Sequence, residues 1–111
     1  MQSGAITANV TVVNPMGMHL RPAALFVRTA SQFQARVTVT YLGQQCDVRS
    51  VIELLMLAAR QGTEIVIAAE GEEAAPAVAA LVDLVRQGFG ELEPDATLAA
   101  GTASNMAKPG P

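Results

Sequence analysis

The chain has very few of the side chains that build disulfides, metal sites and nucleic-acid interfaces. Its 111 residues include one cysteine, one histidine and no tryptophan. The lone Cys46 excludes an intramolecular disulfide, and together with one histidine it leaves too few ligands for a structural zinc site. The Lys and Arg residues form no cluster and the formal net charge is −3, so the electrostatic signature of nucleic-acid binding is missing. We therefore expect no metal, no cofactor and no nucleic-acid partner.

Long apolar runs are also absent. The first residues, MQSGAITANV, lack the basic segment and apolar core of a signal peptide, and no apolar run approaches the roughly 20 residues that cross a bilayer. These absences predict a cytoplasmic protein without a membrane-inserted segment. Half of the residues are nevertheless hydrophobic, which at this length predicts one compact, aliphatic core. Cys46 is expected to be a small buried member of that core.

Hydrophobic periodicity divides the chain into strands and helices in the order βαββαβα. The predicted strands are 5–13, the two arms of a hairpin that turns near Gly43, and a fourth from Ile65 to Ala69. The predicted helices are 21–32, 51–60 and a third that ends at Gly88. Because the apolar residues of the strands share one face that the helices can cover, this order indicates an α+β sheet with one open side.

The composition changes after Glu91. The remaining residues are rich in Ala, Gly, Pro, Ser and Thr and show no repeating apolar face. We therefore predict one domain over 1–91 and a disordered tail over 92–111.

The second predicted helix has clear end signals. Ser50 and Glu53 form an S-x-x-E capping box in front of its apolar residues. Gly62 is the predicted left-handed residue at its end.

The single histidine, His19, lies in the stretch NPMGMHLRPAALF, at the predicted start of the first helix. Helix-start amides lack carbonyl partners and the helix dipole is positive there, so an oxyanion on His19 would meet donors, including the guanidinium of Arg21. Imidazole is nucleophilic near neutral pH and becomes a good leaving group once phosphorylated. The residues alone leave two interpretations open: a transient phosphoryl acceptor, or an ordinary surface histidine at a helix start.

Three segments resemble one known family. The stretch NPMGMHLRPAALFV is similar to the active-site segment, N-x-x-G-[LM]-H-x-R-P-A, of the HPr phosphocarrier family of the bacterial phosphotransferase system. The stretch VRSVIELLMLAARQGTEIVI resembles the second signature of that family, and AEGEEAAPAVAALVDLV resembles its last helix. The resemblance implies an open-faced β-sandwich, in which a four-stranded antiparallel sheet carries three helices on one face.

The resemblance also implies a function and partners. His19 would accept a phosphoryl group on Nδ1 from phosphorylated Enzyme I, Arg21 would stabilise it, and a IIA domain would receive it. The carrier is expected to be a monomer. The resemblance does not decide between the sugar and nitrogen branches of the system.

Four apolar residues occupy positions where the family presents its docking face: Leu20, Val51, Ile52 and Leu55. For Val51 and Leu55, packing in the core is the alternative. Leu20 and Ile52 are expected to be exposed.

Ser50 has a structural and a regulatory interpretation. As an N-cap it stabilises its helix by about 1 kcal/mol. In some family members the matching serine is phosphorylated by HPr kinase/phosphorylase, but the charge of Glu53 one turn away would oppose a phosphate here.

The alternative function is therefore a non-catalytic regulatory module that binds partners and uses Ser50 as a switch. The presence of both His19 and Arg21 favours the carrier, since a pure regulator needs no nucleophile beside an anion site. An enzyme with its own small-molecule substrate lacks support, because no second acid/base group lies near His19 in the sequence and there is no glycine-rich nucleotide loop.

Overall fold

The computed structural model describes residues 5–91. Strands and helices follow in the predicted order, and a short 3-10 turn follows the last helix. The elements are β1 (Ile6–Thr11), α1 (Leu20–Ala30), β2 (Arg36–Tyr41), β3 (Gln44–Asp47), α2 (Val51–Leu57), β4 (Glu64–Glu70), α3 (Ala74–Arg86) and the turn Gly88–Gly90. The predicted tail, 92–111, lies outside the described residues, so its disorder stays a prediction.

The four strands form one antiparallel sheet in the order β1-β4-β2-β3. In the centre, Ile65 of β4 lies opposite Val10 of β1, and Ile67 of β4 lies opposite Val39 of β2. Strands β2 and β3 are the predicted hairpin, and its turn contains Gly43 with a φ of +80°. The predicted α+β class is confirmed.

The core lies between the sheet and the three helices. Alternate side chains of the strands point into it, while the intervening Thr38 and Thr40 of β2 are only partly covered on the open face. Burial of each large apolar side chain contributes roughly 1.5–3 kcal/mol. Cys46 is buried in this core, as predicted. The largest fully buried apolar side chains are Phe26, Phe89, Leu54, Ile65, Ile67 and Leu81.

Helix α2 is shorter than predicted. It ends at Leu57 rather than at residue 60, and its left-handed C-cap is Ala58 (φ 55°), so the prediction of Gly62 as the stop is wrong. The physical reason lies in the next residue, because the Ala59 carbonyl accepts a hydrogen bond from the Met18 amide at 2.9 Å. Ala59 therefore pairs with the loop before α1 and does not continue the helix.

The remaining boundaries differ by one or two residues. Strand β1 ends at Thr11 because Val12 instead pairs with the turn before β4: its amide donates to the Thr63 carbonyl at 2.8 Å, and its carbonyl accepts from the Gly62 amide at 2.7 Å. Helix α1 begins one residue earlier and ends two residues earlier than predicted. Such differences are normal at element ends.

The capping box at α2 is half formed. The Ser50 hydroxyl accepts a hydrogen bond from the Glu53 amide at 3.2 Å, as predicted. The Glu53 carboxylate does not return to Ser50 but accepts from the Asp47 amide at 3.3 Å. The extended backbone that enters from β3 brings this amide within reach, so the prediction holds for Ser50 and is wrong for Glu53.

Candidate functional site

The loop between β1 and α1 is held in place by the end of α2. The buried Met18 donates its amide to the Ala59 carbonyl. Gly17 has a φ of +66°, and a Cβ at this position would collide with the same carbonyl. Only glycine meets both conditions without strain. Backbone contacts therefore fix the position of the next residue, His19.

His19 is the N-cap of α1. Its carbonyl accepts the amide hydrogen of Ala23 at 3.0 Å, and its side chain makes no capping hydrogen bond. The ring, 31% exposed, instead contacts Glu91: Nε2 lies 2.9 and 3.0 Å from the two carboxylate oxygens. A carboxylate only accepts hydrogen bonds, so the neutral form of the ring is assigned its proton on Nε2 and its lone pair on Nδ1.

Arg21 lies in the first turn of α1 and contacts the same carboxylate. Its Nη1 donates to Oε2 of Glu91 at 3.1 Å and to the Phe89 carbonyl at 2.9 Å. The side chain is exposed, so part of the guanidinium faces solvent. Arg21 is therefore placed beside His19, as predicted, and Glu91 joins the two.

Asn14 is the third donor to Glu91. It is fully buried, and its Nδ2 donates to Oε1 of Glu91 at 2.9 Å and to the Gly17 carbonyl at 2.8 Å. Both partners are acceptors, which fixes the orientation of the amide. Its Oδ1 has no hydrogen-bond partner within residues 5–91. Asn14 therefore links the loop backbone to the carboxylate.

The Glu91 carboxyl is ionised at neutral pH. Its partial burial acts to raise the pKa, but hydrogen bonds from His19, Asn14 and Arg21, with the charge of His19, outweigh that effect and hold the pKa of Glu91 below its usual value. The side chain is 19% exposed. The ionised carboxylate of Glu91 thus lies next to Nε2 of the imidazole.

Phe89 anchors the segment that carries Glu91. Its ring is fully packed in the core although its backbone is left-handed, with a φ of 56°. Gly88 and Gly90 on either side also have positive φ values, of 65° and 76°. This tight turn after α3 reverses the chain and directs Glu91 toward the start of α1.

The arrangement suits transfer of an anionic group. The first amides of α1 lack carbonyl partners in the helix and meet the positive end of its dipole, next to the ring of His19. Glu91 balances positive charge on the imidazole, and Arg21 can bind oxyanions. No group of three or more His, Cys, Asp or Glu side chains that could hold a metal occurs in the described part of the chain.

Sequence reasoning missed Asn14, Phe89 and Glu91. It found no acid/base group near His19 along the chain, yet Glu91 lies 72 positions away and contacts the ring. In the sequence, Phe89 and Glu91 lie only in the stretch GFGE at the end of the predicted domain. Nothing in that stretch alone indicates which residue it will contact.

The four predicted docking residues divide as expected. Leu20 and Ile52, at the starts of α1 and α2, are 64% and 68% exposed. Val51 and Leu55 are half-buried against the core. Met16 and Met56 are also highly exposed and were not predicted. Their role in binding a partner stays a prediction.

Comparison with known proteins gives a consistent result. A family model described as the PTS HPr component phosphorylation site matches residues 6–87. Phosphocarrier protein HPr of Neisseria meningitidis serogroup A is 39% identical over 85 residues, which are 77% of this chain and 96% of that protein. Phosphocarrier protein HPr of Chlamydia trachomatis serovar D is 35% identical over 92 residues, covering 83% of this chain and 84% of that one.

A solved structure agrees with the sequence matches. The crystal structure of HPr-C-His from Thermoanaerobacter tengcongensis has a TM-score of 0.76 at 35% identity, covering 79% of this chain and 99% of that one. The fold and the matched sequence together define a phosphocarrier of the phosphotransferase system. The chain belongs to the HPr family. The range matched by the family model ends at residue 87, and the structure connects Glu91 to the site.

Proposed function

We propose that the protein accepts a phosphoryl group on Nδ1 of His19 from phosphorylated Enzyme I and passes it to IIA domains. One observation carries this proposal: Glu91 holds Nε2, which leaves Nδ1 as the nucleophilic nitrogen of a ring at the start of α1. The membership in the HPr family supports the same role.

The transfer can be followed atom by atom. The Nδ1 lone pair attacks the donor phosphorus, the bond from phosphorus to the donor breaks, and a new Nδ1–P bond forms. The proton on Nε2 stays in place, so the ring becomes positively charged. Glu91, 2.9 Å from Nε2, stabilises that charge, and the exposed guanidinium of Arg21 balances the transferred phosphoryl oxygens.

Docking is proposed to involve the exposed ends of two neighbouring helices. Leu20, next to His19 in the chain, and Ile52 of α2 offer exposed apolar surface, and the half-buried Val51 and Leu55 belong to the same helix as Ile52. In-line transfer needs an open approach, and an exposed helix start allows it. The described part of the chain has no helix that is long and apolar enough to cross a membrane. We propose a cytoplasmic monomer with its domain over 1–91.

The test uses the full chain. Incubation with Enzyme I and phosphoenolpyruvate, followed by intact-mass measurement, should show one added acid-labile phosphate. The His19→Ala variant should keep its fold, because the partly exposed ring of His19 is not part of the apolar core, and should gain none. Phosphate on His19→Ala under the same conditions would contradict the assignment of His19.

Regulation through Ser50 is the second candidate. The half-buried Ser50 begins α2, and its hydroxyl is already engaged by the Glu53 amide. If the chain is instead a regulatory module, incubation with HPr kinase/phosphorylase and ATP should add an acid-stable phosphate at Ser50, while Enzyme I adds none at His19. The two experiments therefore separate the carrier from the regulator.

A further inference from the structure

The outward side of α1 carries a stripe of side chains that we call the arginine stripe. Its four members are spaced three or four positions apart along one face of the helix: Arg21, Ala24, Leu25 and Arg28. The two arginines and Ala24 are exposed, and Leu25 is half-buried. The buried Phe26 points to the other side of the helix, into the core. The arginine stripe is therefore accessible to another segment.

The arginine stripe is positively charged, and its guanidiniums retain donors. Helix α1 contains two arginines and no acidic residue. Within residues 5–91 only Nη1 of Arg21 is hydrogen-bonded, so Nη2 and Nε have no partner there. Arg28 forms no ion pair in the same range. The side chains between the two arginines carry no polar atom, so an anionic segment would meet no competing charge.

The chain continues directly from one end of the arginine stripe. Glu91, the last described residue, places Oε2 at 3.1 Å from Nη1 of Arg21. The next four residues, 92–95, read Leu-Glu-Pro-Asp, so two more acids follow at alternate positions. Proline favours an extended backbone at the residue before it, and alternate side chains of an extended chain share one side. Glu91, Glu93 and Asp95 are therefore expected on the same side.

The spacing of these acids matches the spacing of the arginines. Arg21 and Arg28 are seven helical positions apart, which is about 10 Å along the axis. Four extended residues from Glu91 to Asp95 span about 13 Å, and the side chain of Arg28 leans back toward the start of the helix. Asp95 can thus reach Arg28 while Glu91 stays on Arg21. A surface ion pair is weak alone, but a tether of so few residues gives a high effective concentration.

We propose that residues 92–95 bind along the arginine stripe, with Glu93 at Arg21 and Asp95 at Arg28. Disorder is then expected only after Asp95. The bound acids compete with phosphoryl oxygens for Arg21, so the segment is an internal competitor beside His19. This consequence rests on the proposed phosphoryl transfer, whereas the binding itself does not.

A spin label tests where the segment lies. A nitroxide on Thr97→Cys of the full ¹⁵N-labelled chain should broaden the amide signals of Leu25 and Arg28. The native Cys46 is buried, and burial raises its pKa to about 11, so it stays a thiol and does not take the label. Sharp signals at Leu25 and Arg28 would leave the arginine stripe to acidic partners and overturn the proposal.

Charge variants of the labelled chain identify the ion pairs. Glu93→Gln/Asp95→Asn should abolish the broadening, and so should Arg28→Glu. Combining Arg28→Glu with Asp95→Arg should restore it, because the pair is then reversed. The matched control is Glu64→Gln/Glu70→Gln, which removes two exposed acids of β4 and should leave the broadening unchanged. Broadening that survives in all variants would contradict binding through charge.

A mixed sample separates this contact from one between two copies. Spin-labelled chain without ¹⁵N is added to ¹⁵N-labelled chain that carries no spin label. The signals of Leu25 and Arg28 should then stay sharp. Broadening in the mixed sample would assign the arginine stripe to the segment of a second copy and overturn binding within one chain.

The rate of His19 phosphorylation by Enzyme I tests the competition. Glu93→Gln/Asp95→Asn should be phosphorylated about twofold faster at low salt, and the advantage should vanish at high salt, which screens exposed charges. Glu64→Gln/Glu70→Gln should keep the rate of the unmodified chain. Equal rates in all three chains would overturn the competition for Arg21. If no chain is phosphorylated, the proposed function fails, while the spin-label result still decides the binding.

Discussion

The carboxylate of Glu91 contacts the other polar side chains of the site. Glu91 accepts hydrogen bonds from His19, Arg21 and Asn14, at distances between 2.9 and 3.1 Å. This arrangement fixes the tautomer of the imidazole and also places a negative charge where the phosphorylated ring needs one. The same carboxylate holds Arg21, so this arginine must move or share its donors when a phosphoryl group arrives. Glu91 is therefore a positioning residue for both functional side chains.

The Glu91→Gln variant should be phosphorylated about tenfold more slowly than the unmodified chain. The amide cannot balance the charge on the ring, and its NH₂ group would face the donors of Arg21 or His19. The measurement is the rate of His19 phosphorylation by Enzyme I. The matched control is Glu72→Gln, which changes an exposed acid in the turn before α3. Equal rates in both variants would remove Glu91 from the mechanism.

The stability of the protein should depend on the ionisation of Glu91. Because its pKa lies below the usual 4.5, the folded state holds this proton less tightly than the unfolded chain does. Its contribution is therefore complete above pH 4.5 and is lost as the pH falls through the lowered pKa. The difference in melting temperature between the unmodified chain and Glu91→Gln should shrink in that acid range. A difference that stays constant at every pH below 4.5 at which both proteins remain folded would contradict this linkage.

At the level of the elements, the predicted site and docking residues belong to α1, α2 and the residues that cap them. Helix α1 begins at His19 with a charged site, and α2 begins at Ser50 with an exposed apolar residue, Ile52. The helices pack against each other with the start of α1 beside the end of α2, so a partner surface that reaches both Leu20 and Ile52 must span the helix pair. A negative charge at Ser50 would lie at the edge of this surface.

The Ser50→Asp variant should transfer phosphoryl groups more slowly while keeping its stability within about 0.5 kcal/mol of the unmodified chain. Aspartate is itself a good N-cap and suits the positive end of the helix, whereas its charge opposes docking. The rate of His19 phosphorylation at low and high salt, with a thermal melt, measures both effects. Salt should reduce the loss of rate.

Ser50→Ala is the control with the opposite pattern. It removes the hydrogen bond to the Glu53 amide and should cost about 1 kcal/mol of stability, with the transfer rate retained. If Ser50→Asp transferred as fast as the unmodified chain at both salt concentrations, Ser50 would lie outside the docking surface. Its capping role alone would then remain.

At the scale of the whole molecule, Phe89 connects the core to the site. Its ring fills the core, its carbonyl accepts from Arg21 at 2.9 Å, and Glu91 follows two residues later. When the turn after α3 packs Phe89 into the core, it therefore also brings Glu91 to the site. Loss of the core contact should affect both.

The Phe89→Ala variant should lose about 3 to 5 kcal/mol of stability, because it leaves a cavity in the core. It should also transfer phosphoryl groups more slowly at temperatures where it is still folded, since Glu91 is no longer held. Thermal melts and phosphorylation rates at low temperature measure the two effects. Phe89→Leu, which keeps most of the apolar volume, should retain both properties. Normal transfer by folded Phe89→Ala would show that Glu91 is positioned without this anchor.

The sequence by itself determined the order of the elements and the position of His19 at the start of α1. Alternation and helical spacing are local patterns, and they predicted the strands and helices to within a few residues. The helix-start position of His19, with Arg21 two residues later, was likewise local. The cap at Ser50 followed from a four-residue signal and is present.

Only the tertiary structure decided what surrounds the imidazole. Glu91 reaches His19 across 72 positions, and Asn14 reaches Glu91 across 77, through contacts that exist once α3 has packed and the turn at Phe89 has formed. The early end of α2 also depends on a distant contact. The Ala59 carbonyl accepts a hydrogen bond from the amide of Met18, which is far away along the chain. Local patterns report how a segment buries its own apolar face. They carry no information on which distant polar groups that burial brings together.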